Sequence, residues 1–290
     1  MRMSNNKLFE YYDGQILCHH SRDENSQSVH FYLHAHEHME LFYFISGNVE
    51  YVVEGNIYKL SPGDIVLARS AEVHRPVIYP GTPYERISIQ FSDAVIKSID
   101  SSGVLLKPFL DRSLGCQNLY TLADRNECGL LTYFEGFDKP EKPYAKRINI
   151  ISVLLRCLLD IAQQFEDISQ AERYPSNDNI TGELIEYINN ELFNKISVLS
   201  VSQHFFLSES QINRIFKKAT GSTIWDYIRT KRLLAAREKI LAGQSATEAA
   251  ASCGFQDYSA FYRAYVARFH IAPSNTHQPN LSIEPREMIE

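Results

Sequence analysis

Ser197-Val-Leu-Ser-Val-Ser-Gln-His-Phe-Phe-Leu-Ser-Glu-Ser-Gln-Ile-Asn-Arg-Ile-Phe-Lys-Lys-Ala-Thr-Gly221 is the stretch whose reading decides the fold. Val198, Val201 and Phe205 recur at helical spacing, which predicts a short helix with one buried face. Ser208 followed three residues later by Gln211 has the pattern of a capping box and opens a second helix. That helix turns Ile212, Ile215 and Phe216 inward, and Gly221 ends it in a left-handed cap. A second copy of the pattern lies downstream, in Ser245-Ala-Thr-Glu-Ala-Ala-Ala-Ser-Cys-Gly-Phe-Gln-Asp-Tyr-Ser-Ala-Phe-Tyr-Arg-Ala-Tyr-Val-Ala-Arg-Phe269. Ile212 falls on Phe261, Arg214 on Arg263 and Phe216 on Tyr265, a constant offset of 49 residues. Here Thr247 is read as the cap of the first helix. Gly254 supplies the turn, Phe255 plugs the core and Asp257 caps the second helix.

Each unit is a helix-turn-helix whose second helix has a polar, basic outer face. In the first that face carries Ser210, Asn213 and Arg214, with Lys217 and Lys218 toward its end. In the second it carries Tyr258, Ser259, Tyr262 and Arg263. Arg pairs bidentately with guanine and Asn with adenine in the major groove, whereas Lys suits phosphates. Between the units, Thr223 to Leu241 reads as one helix. It has an apolar stripe of Ile224, Tyr227, Ile228 and Leu234 and a basic side of Arg229, Lys231 and Arg232. A rigid connecting helix would hold two readers about 34 Å apart, one turn of duplex DNA.

Taken together, Phe216-Lys-Lys-x-x-Gly221, the Tyr227-Ile-Arg…Arg232-Leu…Ala236…Leu241 linker and Glu248-x-Ala250…Gly254-Phe255-x-Asp257-x-x-x-Phe261-x-Arg263 resemble the C-terminal domain of AraC/XylS transcription regulators. The resemblance implies base contacts from Ser210, Asn213, Arg214, Tyr258, Ser259, Tyr262 and Arg263. The sequence departs from the family where Tyr265-Val-Ala-Arg-Phe-His270 replaces a second Phe-Lys-Lys-x-x-Gly. It departs again at Asn275-Thr-His277, where a Tyr-Arg is usual after the Pro-Ser, and at Ser202, where Ala is favoured. Fewer lysines imply weaker phosphate contacts from the second unit.

The 290 residues carry a net charge of −6, which does not by itself advertise a nucleic-acid partner. The charge is unevenly spread. Residues 178–277 carry eleven basic against nine acidic side chains and residues 1–177 seventeen against twenty-three. Modest basicity predicts modest, salt-dependent non-specific affinity. The five cysteines, at 18, 116, 128, 157 and 253, form no Cys-x-x-Cys, as expected of reduced thiols. With no run of about 18 apolar residues and no apolar signal core at the start, a cytoplasmic protein without a membrane span is expected.

Upstream, residues 1 to about 95 read as many short strands, rich in β-branched and aromatic residues. These are Phe31–His34, Glu40–Ile45, Val49–Glu54, Asn56–Leu60, Asp64–Ala68 and Arg86–Phe91. Gly-, Pro- and Asn-containing turns separate them, a pattern that predicts a sandwich or barrel. His34-x-His36-x-x-x-Glu40 with Gly47 resembles the first cupin motif, and Gly63…His74 the second, although Arg69 and Ala71 replace its usual Pro and Gly. By that resemblance His34, His36, Glu40 and His74 line the barrel. There they contact a small-molecule effector, with Tyr43 beside them and a carbohydrate as the favoured class. Phe31, Tyr43 and Tyr51 are aromatics that could stack on a sugar. No cofactor is required, but the same four side chains are a competent set for a divalent transition metal. A metal-binding cupin, enzyme or metal sensor, fused to a DNA-binding domain is therefore the rival reading. A scaffold barrel without ligand is the third.

From Asp93 to about Gln170 the pattern turns helical. Ile148, Ile151, Leu155, Leu158, Leu159 and Ala162 form an over-wide apolar stripe on a helix at 145–168. The resemblance implies that such a helix carries a homodimer. The expected organisation is a cupin-like sensing and dimerisation domain at 1–171, a linker at 172–179, an all-α double helix-turn-helix domain at 180–277 and a disordered tail at 278–290. The expected activity is DNA-binding regulation, not catalysis. Its partners are double-stranded DNA, an effector and, for an activator, RNA polymerase.

Overall fold

The computed structural model describes residues 6–24, 34–121, 142–173 and 180–276. Contacts divide the chain into two units, residues 1–31 with 38–176 and residues 32–37 with 177–290. The expected strand at 31–34 and the expected disordered tail at 278–290 lie outside or at the edge of the described residues.

The first unit is two antiparallel sheets. One takes the order β1-β2-β8-β3-β6-β9, from β1 (Asn6–Tyr12), β2 (Ile16–Asp23), β3 (Met39–Ser46), β6 (Asp64–Ala68), β8 (Tyr84–Phe91) and β9 (Leu119–Thr121). The other is β5-β4-β7, from β4 (Asn48–Val53), β5 (Asn56–Lys59) and β7 (His74–Tyr79). Strand β2 was not legible as a strand because His19, His20 and Ser21 interrupt its alternation. Its pairing with β8, from Ile16 opposite Phe91 to Asp23 opposite Tyr84, supplies the order that the pattern lacks.

Strand β3 sets the layers, because its side chains alternate between two faces. Met39, Leu41 and Tyr43 join Ile65, Leu67, Ile87 and Ile89 on one face. Phe42 and Phe44 join Val49, Tyr51, Val53, Val66, Ile78 and Tyr84 on the other, between the sheets. The first face is covered by the long helix. The helical reading of 93–170 resolves into α1 (Asp93–Lys97), α2 (Lys107–Leu110), α3 (Pro143–Glu166) and α4 (Gln170–Arg173), with strand β9 among them. Helix α3 buries Ile150, Val153, Leu154, Cys157, Leu158, Ile161 and Phe165 in that core. By length and composition α3 could cross a membrane, and its buried face identifies it as the core helix of this unit. Tyr144, Ile148 and Leu159 remain exposed on it. The expected linker begins inside α4, where Arg173 bonds Asp111 (3.0 Å) and the Phe165 carbonyl (2.7 Å).

A buried ion pair holds the loops at one end of the sheets. Arg112 reaches both oxygens of Glu72, at 2.7 and 2.9 Å. The same carboxylate accepts from the Gly115 and Arg69 amides and from Asn118 Nδ2. Burial raises the Glu72 pKa, but the adjacent guanidinium and these donors outweigh it and bring it to about 2. A pair satisfied on this scale is costly to break from one side only, because the survivor is left buried and uncompensated.

The second unit is helical: α5 (Ile180–Asn190), α6 (Val198–His204), α7 (Glu209–Thr220), α8 (Ile224–Leu241), α9 (Ala246–Ser252) and α10 (Tyr258–Phe269). Ser197, Ser208 and Ser245 each form a reciprocal capping box. The cap of α9 is thus Ser245 with Glu248 and not Thr247, which lies inside the helix. Arg232 of α8 donates to the carbonyls of Leu192 (2.7 Å), Asn194 (2.7 Å) and Gly254 (2.9 Å). Gly254 has φ +81, and a Cβ there would stand 2.9 Å from Arg232 Cζ. Contrary to the expected 1–171 boundary, residues 32–37 also group with this unit. The physical reason is a charge pairing, in which Glu37 Oε1 lies 2.6 Å from Arg237 Nε. Arg268 also donates to the Ala35 carbonyl at 2.9 Å. Burial lifts the Glu37 carboxyl to about 6 against the opposing pull of Arg237.

Arg112→Ala is expected to lower stability by about 3–5 kcal/mol in chemical denaturation at pH 7. Because the folded Glu72 pKa is depressed from 4.5 to about 2, its stabilisation is complete above pH 4.5 and is lost as pH falls toward 2. The gap between wild type and variant should therefore narrow across that window.

Candidate nucleic-acid interface and effector site

The two second helices of the helix-turn-helix units, α7 and α10, are anchored by their inner faces. Ile212, Phe216 and Thr220 are buried on α7, and Phe261, Tyr265 and Phe269 on α10. Ser210, Arg214, Lys217 and Lys218 are exposed on α7, and Tyr258, Ser259, Tyr262 and Arg263 on α10. Arg214 and Arg263 have no ion-pair partner among the described residues, so both guanidiniums are free to meet a polyanion. Asp257 accepts from the Ser259 and Ala260 amides and thereby fixes where α10 begins.

Three sequence expectations change here. Asn213 is half-buried. Its amide donates to the Glu209 carbonyl (3.1 Å) and accepts from the Ile224 amide (3.4 Å), so it joins α7 to the start of α8. Lys231 and Arg232 do not form a basic side, because both are 5% exposed. Lys231 bonds Asn189 at 2.8 Å, and of the three expected cations only Arg229 is exposed. Phe255 is half-buried, edge-on to Phe261 at 5.1 Å, and not a full core plug.

The second candidate site lies between the two sheets of the β-rich unit. Glu40 on β3 is 4% exposed, yet it sits among apolar neighbours. Its Oε2 is 2.9 Å from His74 Nε2 on β7, and Ser88 on β8 donates to its Oε1. The other ring nitrogen, His74 Nδ1, lies 2.7 Å from the Glu72 carbonyl. A carbonyl only accepts, so Nδ1 must carry the proton. Nε2 then faces a carboxylate, which requires a second proton or another cation there. Burial opposes the imidazolium, but the hydrogen bond and charge of Glu40 prevail and the His74 pKa is raised. Tyr51 stacks on the His74 ring at 6.0 Å. Gln90 and Arg86 follow Ser88 on the same face of β8, since Glu40, Phe42 and Phe44 stand opposite Gln90, Ser88 and Arg86. Tyr84 is fully buried, and its hydroxyl has no hydrogen-bond partner among the described residues.

Of the five expected effector residues, Glu40 and His74 meet in this unit, whereas His36 groups with the helical unit. His34 is not in that pair; its ring lies 6.3 Å from that of His36. Tyr43 is on the opposite face of β3 from Glu40, in the core under α3. The imidazole of His74 and the carboxylate of Glu40 are donors of the kind that a divalent transition ion takes. Such an ion would occupy the place of the His74 Nε2 proton. Ser88, Arg86, Gln90 and Tyr84 carry no motif. Only the period-2 alternation of β8, read in register with Glu40, could have pointed to them.

Family models match at both places. A helix-turn-helix domain matches residues 201–278 and a cupin domain residues 25–83. The chain is similar to the probable transcriptional regulator LumQ of Photobacterium leiognathi, at 26% identity over 83% of this chain and 90% of that protein. It is also similar to the transcriptional regulatory protein HptR of Staphylococcus aureus, at 28% identity over 34% of this chain. There it spans 39% of the relative's length. Among solved structures, ToxT from Vibrio cholerae O395 is 13% identical over 91% of this chain and 97% of that one, with a TM-score of 0.38.

Arg214→Ala and Arg263→Ala are each expected to weaken binding to a selected specific duplex by about 1–3 kcal/mol. Asn213→Ala should instead lower the unfolding midpoint and leave base preference unchanged. Equilibrium binding to a panel of point-substituted duplexes separates the two effects.

Proposed function

We propose that this chain is a helix-turn-helix transcription regulator of the AraC/XylS type, in which a small molecule bound between the sheets of the β-rich unit controls sequence-specific DNA binding by α7 and α10. The single observation that carries the effector reading is the polar cluster of Glu40, His74 and Ser88 inside a hydrophobic unit. Burying a carboxylate and an imidazole costs more than an apolar filling of the same volume. A scaffold without ligand would have no use for them.

The chemistry of the lining favours a ligand rich in hydroxyl groups. Gln90 and the Ser88 oxygen, whose proton goes to Glu40, accept, Tyr84 donates, and the Tyr51 ring offers a flat apolar face. A carbohydrate meets all three demands. Apolar Phe44, Val49, Val53 and Ile78 fill the other end of the same space, so the ligand is small. The protein acts by binding in the cytoplasm, and its role is regulation and not turnover. Contact with RNA polymerase fits an activator of this kind.

A metal reading is favoured by one observation, His74 Nε2 facing the Glu40 carboxylate at 2.9 Å while Nδ1 is already committed as a donor. In that case the ion satisfies His74 Nε2 and offers an open position to a ligand oxygen. A thermal-shift panel of sugars, run with and without chelator, tests both. A sugar at 100 times its dissociation constant should add about 2.7 kcal/mol, and Glu40→Gln should abolish the response. A fall in the midpoint on adding chelator alone would favour the metal. No response to any sugar in either condition would count against the carbohydrate.

The dimer is assigned to α3, whose exposed Tyr144, Ile148 and Leu159 flank the half-buried Ile151 and Leu155. Ile148→Glu with Leu159→Glu should shift sedimentation to that of a monomer without lowering helicity. An unchanged sedimentation coefficient removes α3 from the interface.

A further inference from the structure

The helical unit contains a cleft of about 700 Å³ beside the outer face of α10. One wall is the start of α8, where Trp225, Arg229 and Arg232 follow one another at helical spacing. The opposite wall is the flank of α10, Ala260, Arg263 and Ala264, and the loop at Lys195 closes one end. Arg232 is committed to three carbonyls and serves only to fix the wall. Lys195, Arg229 and Arg263 are exposed around the opening. Lys195 and Arg263 have no ion-pair partner among the described residues, and Arg229 shares an exposed pairing with Asp226 at 2.8 Å. The acid that lines the cleft, Asp257, is occupied in capping α10. Trp225 is 49% exposed, and it is the chain's one tryptophan.

Resting on the DNA-binding reading, we propose that this cleft seats a phosphodiester strand of the duplex, held by Lys195 and Arg229 through its phosphates and by Trp225 through a deoxyribose face. A helix lying in a major groove is bordered on each side by a phosphate strand. The outer face of α10 carries Tyr258, Ser259 and Tyr262, and Arg263 stands at the edge between that face and the cleft wall. The strand that borders the groove on the α8 side therefore runs along Ala260 and Ala264. These are small enough for close approach, with Arg263 and Lys195 free of ion pairs among the described residues and Arg229 held only by its exposed pairing with Asp226. Charge complementarity and continuity with the α10 face select DNA over a free aromatic anion, which the same lining could also attract.

The test uses the full chain and a random-sequence duplex of about thirty base pairs, because phosphate contacts dominate non-specific binding. Trp225 fluorescence should change in step with binding. Lys195→Ala and Arg229→Ala should each reduce the slope of log affinity against log salt by about 0.9. Trp225→Ala should weaken binding several-fold with the slope intact. These side chains are solvent-exposed, so unfolding midpoints should not move. Binding by wild type with both slopes unchanged overturns the cleft assignment and leaves the DNA-binding reading standing. A Trp225 response to benzoate but not to duplex overturns it in favour of a small-anion site. Failure of wild type to bind any duplex at low salt overturns both readings.

Discussion

One buried guanidinium sets the geometry on which DNA reading depends. Arg232 rises from the middle of α8 and donates to Leu192 and Asn194 on one side and Gly254 on the other. The first two carbonyls lie just ahead of the first helix-turn-helix, and the third is in the turn of the second. Hydrogen bonds from a charged group are worth about 1.5–3 kcal/mol each. Three of them offset the effective desolvation that burial imposes on one charge, a burial that still lowers the Arg232 pKa. The constraint extends to the partner position. Residue 254 must have positive φ and no Cβ, because any side chain would meet the guanidinium. Helix α8 is thus a spacer whose length is set by backbone hydrogen bonds and whose attachment is set by one side chain.

The β-rich unit solves a similar problem with a different pair. Glu72 and Arg112 neutralise one another in the interior, and the carboxylate gathers the loops around 69, 115 and 118. Its backbone carbonyl also fixes His74 Nδ1 as a donor. The orientation of the candidate effector histidine is therefore decided two residues away, by the backbone carbonyl of Glu72. Glu40 then faces a fixed proton donor and a hydroxyl, so the polar cluster is ordered before any ligand arrives. Preorganisation of this kind reduces the ordering cost of binding.

The two units differ in how much of their site could be read in advance. On α7 and α10 the expectation that Arg214, Lys217, Tyr258 and Arg263 face outward rested on helical periodicity, and they are exposed because each helix buries its opposite face. Asn213, Lys231 and Arg232 were misplaced for a common reason. Each is polar and lies on or beside an outward-looking arc, but each meets a backbone or amide partner contributed by another helix. In the β-rich unit the cupin-like spacing pointed to Glu40 and His74, which the fold pairs at 2.9 Å. Tyr43 was misplaced although it is only three residues from Glu40, since an odd separation on a strand points to the opposite face. The grouping of residues 32–37 with the helical unit left no trace in composition, because a single Glu opposite Arg237 is not a pattern.

By itself the sequence determined the local elements: capped helices, short alternating strands, the repeated unit at an offset of 49 residues, and the family that these imply. Those features follow from dihedral preferences and from neighbours within a few residues. Only the tertiary structure decided which polar side chains are spent on the fold and which are left for a partner. It assigned Arg232 to the frame and Arg263 to the surface, and it joined Glu40 to His74 and Ser88. The physical reason is that a charged or amide group is indifferent to its position in the sequence. Its role is set by whether burial supplies it with hydrogen-bond partners, and those partners come from distant parts of the chain.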